Sequence, residues 1–188
     1  MKEIVQDGAE VLREVAQPVP EELFGSAELA RLIEDMTVAL DKEPEGVALA
    51  APQIDVSYRV FIVRKDRTLP PPTNQGSTLD PNSQGRTLVA PPERKPEVEV
   101  YINPEIVKTS RKRAKADEGC LSVRGVYGTT KRHERVTVRA RREDGTRFQR
   151  GGSGLMAQIF EHEVDHLNGI LFIDHAEHLI EIKHAVPQ

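Results

Sequence analysis

His162, Glu163 and His166 form the pattern H-E-x-x-H in the sequence. Residues three and four apart on a helix share one face, so the two imidazoles can bind a single metal ion. The carboxylate beside the first His then points at a water molecule on that ion and can act as its base. This spacing predicts a hydrolytic metal site. An amphipathic helix that carries two His without a metal is the alternative, and a third ligand is needed to decide.

The helix that must position this site is predicted between Ser153 and Gly169. Ile159 falls on the same helical stripe as the two His, which indicates that this stripe faces the protein. Ser153 is a suitable N-cap, because its side chain can accept a hydrogen bond from the first turn. Asn168-Gly169 is a suitable stop. The sequence therefore bounds the helix at both ends.

Cys120, the only cysteine, lies in the segment EGCLS at 118–122. A lone cysteine excludes an internal disulfide, and in a reducing compartment its thiol is inert, catalytic or metal-bound. If its thiolate joins His162 and His166, the site has two nitrogen ligands, one sulfur ligand and a fourth position open to water. That set is typical of a catalytic metal centre, whereas a structural site is more often closed by a fourth protein ligand.

The composition suits one domain, 1–188. With 188 residues and 38% hydrophobic residues, the chain can bury a sizeable core. Aromatic residues make up only 4% and Trp is absent, so platforms for stacking nucleic-acid bases are scarce and sequence-specific nucleic-acid binding is not expected. The sequence has neither an apolar run long enough for a membrane helix nor an apolar signal segment at its start. We therefore expect a cytoplasmic protein without a membrane partner.

The charge is unevenly distributed. The net charge is −4, yet residues 108–150 contain 14 Lys or Arg against 5 Asp or Glu. The ordinary interpretation of such a stretch is solvated strand faces. The functional interpretation is a patch that attracts a polyanion such as ribosomal RNA, or the carboxylate end of a peptide.

Periodicity and turn residues predict the remaining elements. Ser26 can cap an amphipathic helix that reaches about Asp41. Alternating or β-branched segments predict strands, and a final apolar segment predicts a last helical turn or two. The predicted strands are 58–64, 97–102, 105–110, 135–142 and 146–149, and the last helix is 177–184. Residues 65–96 are rich in Pro, Ser, Thr, Gln and Gly, which predicts a flexible surface insertion.

Three motifs in order resemble those of the peptide deformylases. They are GVALAAPQ at 46–53, EGCLS at 118–122 and HEVDHL at 162–167. This family removes the formyl group from the initiator methionine of new bacterial and organellar polypeptides. Apart from 65–96, the resemblance covers nearly the whole chain. It implies an α+β fold, in which a central HExxH helix is surrounded by small, mainly antiparallel β-sheets, and it implies a bacterial cytoplasmic enzyme that acts on N-formylmethionyl peptides.

The resemblance also implies a role for each matching residue. Cys120, His162 and His166 become the metal ligands, and Glu163 becomes the general base and acid. The Gln53 side chain and the Leu121 backbone N–H become the oxyanion donors. The wall of the methionine pocket and the edge that pairs with the peptide backbone are assigned to Val47, Ala48, Gly119, Leu121, Tyr127 and Ile159. The implied metal is Fe(II) in the cell, with Zn(II) or Ni(II) possible in purified protein.

Three positions depart from the family pattern. Ala48 replaces a glycine, Glu161 replaces a glutamine before the first His, and Arg124 replaces a proline after the second motif. The extra methyl of Ala48 motivates one alternative, a catalytically weak deformylase-like protein that binds formyl peptides. The H-E-x-x-H pattern alone motivates another, a zinc endopeptidase. Cys120 and Gln53 argue against the endopeptidase.

Overall fold

The computed structural model describes residues 2–68 and 97–182. It contains three α-helices and eight β-strands within these ranges. The helices are α1 (Ala27–Asp41), α2 (Lys65–Thr68) and α3 (Leu155–Leu167). The strands are β1 (Ala48–Ala50), β2 (Val60–Arg64), β3 (Val98–Thr109), β4 (Arg113–Cys120), β5 (Val123–His133), β6 (Arg135–Arg141), β7 (Arg147–Ser153) and β8 (Glu177–Glu181).

All of these strands pair antiparallel, in two sheets. The first sheet has five strands in the order β1-β2-β3-β6-β7, and the second has three in the order β4-β5-β8. Together with α3 they form the predicted α+β architecture. The order explains why H-E-x-x-H and EGCLS can meet, because α3 follows the last strand of the first sheet and Cys120 ends β4 of the second.

The five-stranded sheet has a buried core on each face. Side chains on a strand alternate between faces, and β2 is buried throughout. Phe61 and Val63 pack in the cluster that includes Phe160 of α3. Val60 and Ile62 pack instead in the cluster that includes the buried face of α1. The sheet therefore packs against α3 on one side and against α1 on the other.

Helix α1 confirms the prediction that Ser26 begins it. The Ser26 Oγ accepts a hydrogen bond from Leu29 N at 3.2 Å. The prediction for α3 is only half right. Gly169 has φ 72° just after the helix, as expected of a stop, but Ser153 is not the N-cap. Ser153 still belongs to β7, and Gly154 occupies the cap with φ 54°, because the chain turns sharply from strand into helix and glycine adopts that conformation without strain.

Two strand predictions and one helix prediction need correction. The segments 97–102 and 105–110 form one strand, β3, which bulges at Asn103 (φ 50°) where the register with β6 shifts. The return strand of the 135–142 hairpin runs to Ser153 instead of ending at 149. The described part of the segment 177–184 is a strand and not a helix, because Glu177–Glu181 pairs with β5 and gains ladder hydrogen bonds that an isolated five-residue helix cannot match.

The predicted insertion at 65–96 begins with α2, a single helical turn. Its remainder, 69–96, lies outside the described residues, as does the end of the segment 177–184. Within the described ranges, no helix combines the length and the apolar character that crossing a membrane requires.

Candidate metal centre

Cys120, His162 and His166 meet at the junction of the two sheets. Their ligand atoms all lie within 4.8 Å of one another, and Cys120 Sγ is 3.2 Å from His166 Nε2. The two imidazole centroids are 4.8 Å apart, as expected for rings one turn apart on a helix. The third ligand predicted from the lone cysteine is therefore in place.

This donor group fits a metal ion. Ligands bound tetrahedrally at about 2.0–2.3 Å lie roughly 3.5 Å apart, so small side-chain adjustments would close the site around an ion. His166 is buried, and burial lowers the pKa of its imidazole, which favours the neutral form that binds metals. In the described part of the chain, its Nδ1 is buried without a hydrogen-bond partner. The set of one thiolate and two imidazoles leaves a fourth position for water.

A buried ion-pair network orients the first histidine. Glu118 Oε2 lies 3.0 Å from His162 Nδ1. Arg132 donates two hydrogen bonds to the same carboxylate, from Nε at 2.6 Å and from Nη2 at 2.9 Å. Thr130 Oγ1 donates a third at 2.8 Å. Burial alone would raise the pKa of Glu118, but the hydrogen bonds from Arg132 and His162 outweigh it and hold that pKa well below its usual range. Glu118 is thus an ionised acceptor that fixes the His162 ring.

Arg132 also ties this network to α3. Its Nη1 donates to Asp165 Oδ2 at 2.7 Å, one residue before His166. The sequence motifs gave no role to Glu118 or Arg132. A signal was available for Glu118, because residues two apart on a strand share a face and Glu118 stands two before Cys120. Nothing comparable marks Arg132, since its contact with Glu118 depends on the register of β4 with β5.

Gln53 faces the Cys120 sulfur with its amide nitrogen. Its Oε1 accepts a hydrogen bond from Ala50 N at 2.8 Å, which fixes the orientation of the amide. Its Nε2 is then 3.2 Å from Ser122 Oγ and 3.5 Å from Cys120 Sγ. Gln53 is 2% exposed. A buried N–H donor is therefore aimed at the metal group.

Glu163 is buried beside the two His. Burial raises its pKa to about 7, so this carboxyl group is poised to exchange a proton near neutral pH. Among the described residues, no group hydrogen-bonds to its buried Oε2. A buried Glu163 oxygen without a hydrogen-bond partner in the described structure is what we expect of a base that accepts a proton from a water molecule.

A pocket of about 460 Å³ opens onto these groups. It is lined by Gln53, Cys120, His162 and Glu163. Every residue assigned to the substrate by resemblance also lines it: Val47, Ala48, Gly119, Leu121, Tyr127 and Ile159. The residues predicted from three separate motifs thus share one cleft.

Two departures from the family pattern have local partners. Glu161 accepts hydrogen bonds from the His133 backbone at 2.7 Å and lies 2.6 Å from its Nδ1. Arg124 forms a two-pronged ion pair with Glu43 at the pocket rim. Ala48 is 7% exposed and is one of the residues that line the pocket.

Comparison with known proteins agrees with this geometry. The family model described as polypeptide deformylase matches residues 1–181. A peptide deformylase from Symbiobacterium thermophilum is 37% identical over 94% of this chain and 67% of its own length. A relative from Solanum lycopersicum, named peptide deformylase 1A, chloroplastic, is 34% identical over 93% of this chain and 59% of its own length.

The fold is also similar to solved deformylases. The structure of a class I type b peptide deformylase from Acinetobacter baumannii, bound to Met-Ala-Ser, superposes with a TM-score of 0.74. It is 31% identical, and the match covers 93% of this chain and 99% of the other. The family match, the shared fold and the Cys/His/His group converge: the chain belongs to the peptide deformylase family, the metallohydrolases that remove the N-formyl group from nascent polypeptides.

Proposed function

We propose that this chain deformylates N-formylmethionyl peptides with a metal ion held by Cys120, His162 and His166. The observation that carries the proposal is the meeting of the Cys120 sulfur with the two imidazoles at the edge of the pocket. When bound, a divalent ion lowers the pKa of a coordinated water toward about 7 and so supplies hydroxide at neutral pH.

Glu163 is the proton carrier in this proposal. It accepts the proton of the attacking water and returns it to the departing amine, which leaves as the free N-terminus of the peptide. Its pKa of about 7 suits both steps, because the group must be a base in the first and an acid in the second. Its burial beside His162 keeps bulk water from taking over the transfer.

Gln53 and Leu121 stabilise the developing negative charge. We assign the oxyanion to the Gln53 Nε2 donor and the Leu121 backbone N–H. Gln53 is preorganised, because its Oε1 is already held by Ala50 N. One such donor is typically worth on the order of a hundredfold in rate. A carboxylate at the same place would repel the oxyanion.

The pocket walls supply the peptide site. Val47 and Ala48 line the cleft at the start of β1, and Gly119 and Leu121 line it at the end of β4. A peptide added to such a strand edge gains main-chain hydrogen bonds whatever its sequence, so selectivity rests on the methionine side chain. The Acinetobacter relative binds Met-Ala-Ser, and we propose that this pocket receives peptides of the same kind.

We propose Fe(II) as the metal in the cell, with Zn(II) or Ni(II) able to replace it in purified protein. Thiolate and imidazole ligands suit all three metals, and the family resemblance favours iron. We also propose the bacterial cytoplasm as the compartment, although the name of the tomato relative places that protein in the chloroplast.

We propose a ribosome contact, within the basic stretch 108–150, for the segment that connects β3 of the first sheet to β4 of the second. Its support is a set of exposed cations, Lys108, Arg111, Lys112, Arg113 and Lys115. Such a patch attracts RNA phosphates in a salt-dependent way. Co-sedimentation with ribosomes at low and high salt tests it, since binding that is absent at low salt would contradict the proposal.

The central test combines metal analysis with a paired assay under anaerobic conditions. The protein is assayed on formyl-Met-Ala-Ser and on unformylated Met-Ala-Ser, and free amine, formate and peptide fragments are measured. We expect formate release that depends on about one metal ion per chain, with the Met-Ala bond intact. Cleavage of the unformylated peptide would favour the endopeptidase, and binding without turnover would favour the weak formyl-peptide-binding protein.

A further inference from the structure

The rim loop, residues 43–47, connects α1 to β1 and forms one side of the pocket mouth. Glu43, Glu45, Gly46 and Val47 all line the pocket. The loop consists of two successive turns, in which Glu43 N donates to Leu40 O and Gly46 N donates to Glu43 O. It has no strand partner along most of its length within the described structure, so its position must come from other contacts.

Arg67, in α2, supplies those contacts through hydrogen bonds to backbone carbonyls of the loop. Its Nη1 donates to Gly46 O at 2.6 Å and to Glu43 O at 2.8 Å, with a weaker contact to Leu40 O at 3.4 Å. These carbonyls include one at the end of α1, where a cation is favoured by the helix dipole. One part-buried guanidinium therefore fixes both turns of the rim loop.

The position of Arg67 is set by a buried ion-pair network in the preceding residues. Arg64, whose side chain is 6% exposed, binds both oxygens of Asp66 at 2.9 Å and also pairs with Asp41. The Arg64–Asp66 pair fixes the single turn of α2, because both residues flank its start. Arg67 is thereby held pointing at the loop.

Arg124 holds the same loop from the opposite side of the cleft. Its Nη2 donates to Glu43 Oε1 at 2.5 Å and its Nη1 to Glu43 Oε2 at 3.2 Å. Gly46 is packed closely between the two sides, since a Cβ on it would lie 3.1 Å from the Leu121 side chain. A displacement of the rim loop would therefore change the width of the cleft.

We propose that Arg67 and Arg124 are positioning residues that hold the rim loop in the conformation that binds the peptide. They act through the loop and not on the reacting atoms, which lie on α3, β4 and the turn after β1. This inference rests on the proposed function. Arg67 contributes more than Arg124, because its bonds to the loop carbonyls are part-buried, whereas the Arg124 side chain is 55% exposed and its ion pair is screened by solvent.

The test compares kcat and KM for formyl-Met-Ala-Ser in Arg67→Met, Arg67→Lys and Arg124→Gln. We expect Arg67→Met to raise KM about tenfold and leave kcat within about twofold, because charge-assisted bonds to the loop are lost while the metal group is untouched. Arg67→Lys should restore part of the KM. Arg124→Gln should raise KM by about twofold to threefold, and an unchanged KM in this variant would contradict its role. Arg141→Met is the matched control, since Arg141 donates to Gly145 O and pairs with Glu21 at the β6–β7 hairpin.

An unchanged KM in both Arg67→Met and Arg124→Gln, with the wild type active, would overturn the inference. A fall in kcat at constant KM would do the same, because it would place the effect on the reacting groups. Failure of the wild type to release formate would instead contradict the proposed function. Because Arg124 is exposed and its loss should leave the fold intact, that variant keeps the inference testable even if Arg67→Met is too unstable to assay.

Discussion

Replacing Arg132 by Met should be the most destabilising single change in the metal site. Arg132 is the principal counter-ion of Glu118, and both side chains are buried, at 8% and 1% exposure. The Met side chain fills similar space but leaves the Glu118 carboxylate without its two strongest hydrogen bonds. Breaking a buried pair by removing one partner costs about 3–5 kcal/mol, because the remaining charge stays desolvated.

For a domain of this length, 1 kcal/mol shifts the melting temperature by about 2–4 °C, so Arg132→Met should lower it by roughly 6–20 °C. The melting temperatures should be measured on the metal-free protein, because a bound ion stabilises the fold by itself. Arg139→Met is the matched control. Arg139 also pairs with a glutamate, Glu105, at 2.6 Å, but both side chains are more than half exposed, so about 1 kcal/mol or less is expected.

The same variant should change the pH dependence of stability. In the wild type the pKa of Glu118 is lower in the folded than in the unfolded state. Its ionised form therefore stabilises the fold above about pH 4.5, and that stabilisation is lost as the pH falls. Without Arg132, the pKa of Glu118 in the folded state is lowered less. The unfolding free energies of the wild type and the variant should therefore converge as the pH falls below 4.5. Equal stability of the two proteins at pH 7 would refute the assignment of Arg132.

Four further predictions concern the site and its surroundings. Glu163→Ala should retain metal by elemental analysis yet lose at least about a hundredfold in formate release, and wild-type rates would remove Glu163 from the mechanism. Cys120→Ser should retain less metal after dialysis; undiminished metal would displace the sulfur from the ligand set. Ala48→Gly should raise turnover of formyl-Met-Ala-Ser if the methyl group crowds the peptide, and unchanged turnover would reject that reasoning. Asp66→Asn should cost about 2 kcal/mol at pH 7, because the Arg64 hydrogen bond lowers the Asp66 pKa to about 2; urea titrations should show the difference shrinking as the pH falls from about 4 to 2.

Local chemistry made part of the fold predictable. Ser26 could be identified as a cap and Gly169 as a stop because each acts on backbone groups within one helical turn. The same rule failed at Ser153, because the preceding strand pairs that residue with Arg135 and leaves the cap to Gly154. The helix prediction for 177–184 failed for a related reason, since the strand conformation of Glu177–Glu181 comes from hydrogen bonds to β5, more than forty residues away.

The metal site shows the same division between local and distant information. Cys120, His162 and His166 could be proposed from residue type and motif order, because few residue types bind metals and each motif is short. The residues that position these ligands could not be proposed from the sequence in this way. In β5, Thr130, Lys131 and Arg132 are consecutive and polar, yet the middle one is exposed and its neighbours are buried.

Alternation predicts that Thr130 and Arg132 share a face, but a charged residue is ordinarily assigned to the solvent side. What reverses the assignment is Glu118, brought beside Arg132 by the pairing of β4 with β5. A buried arginine is tolerable only with such a partner, and the partner in turn needs the arginine to remain ionised beside His162. The basic stretch at 108–150 therefore mixes two kinds of cation, and the sequence cannot separate them without the strand register. Arg132 supports the metal site from inside, whereas Arg139 pairs in solvent.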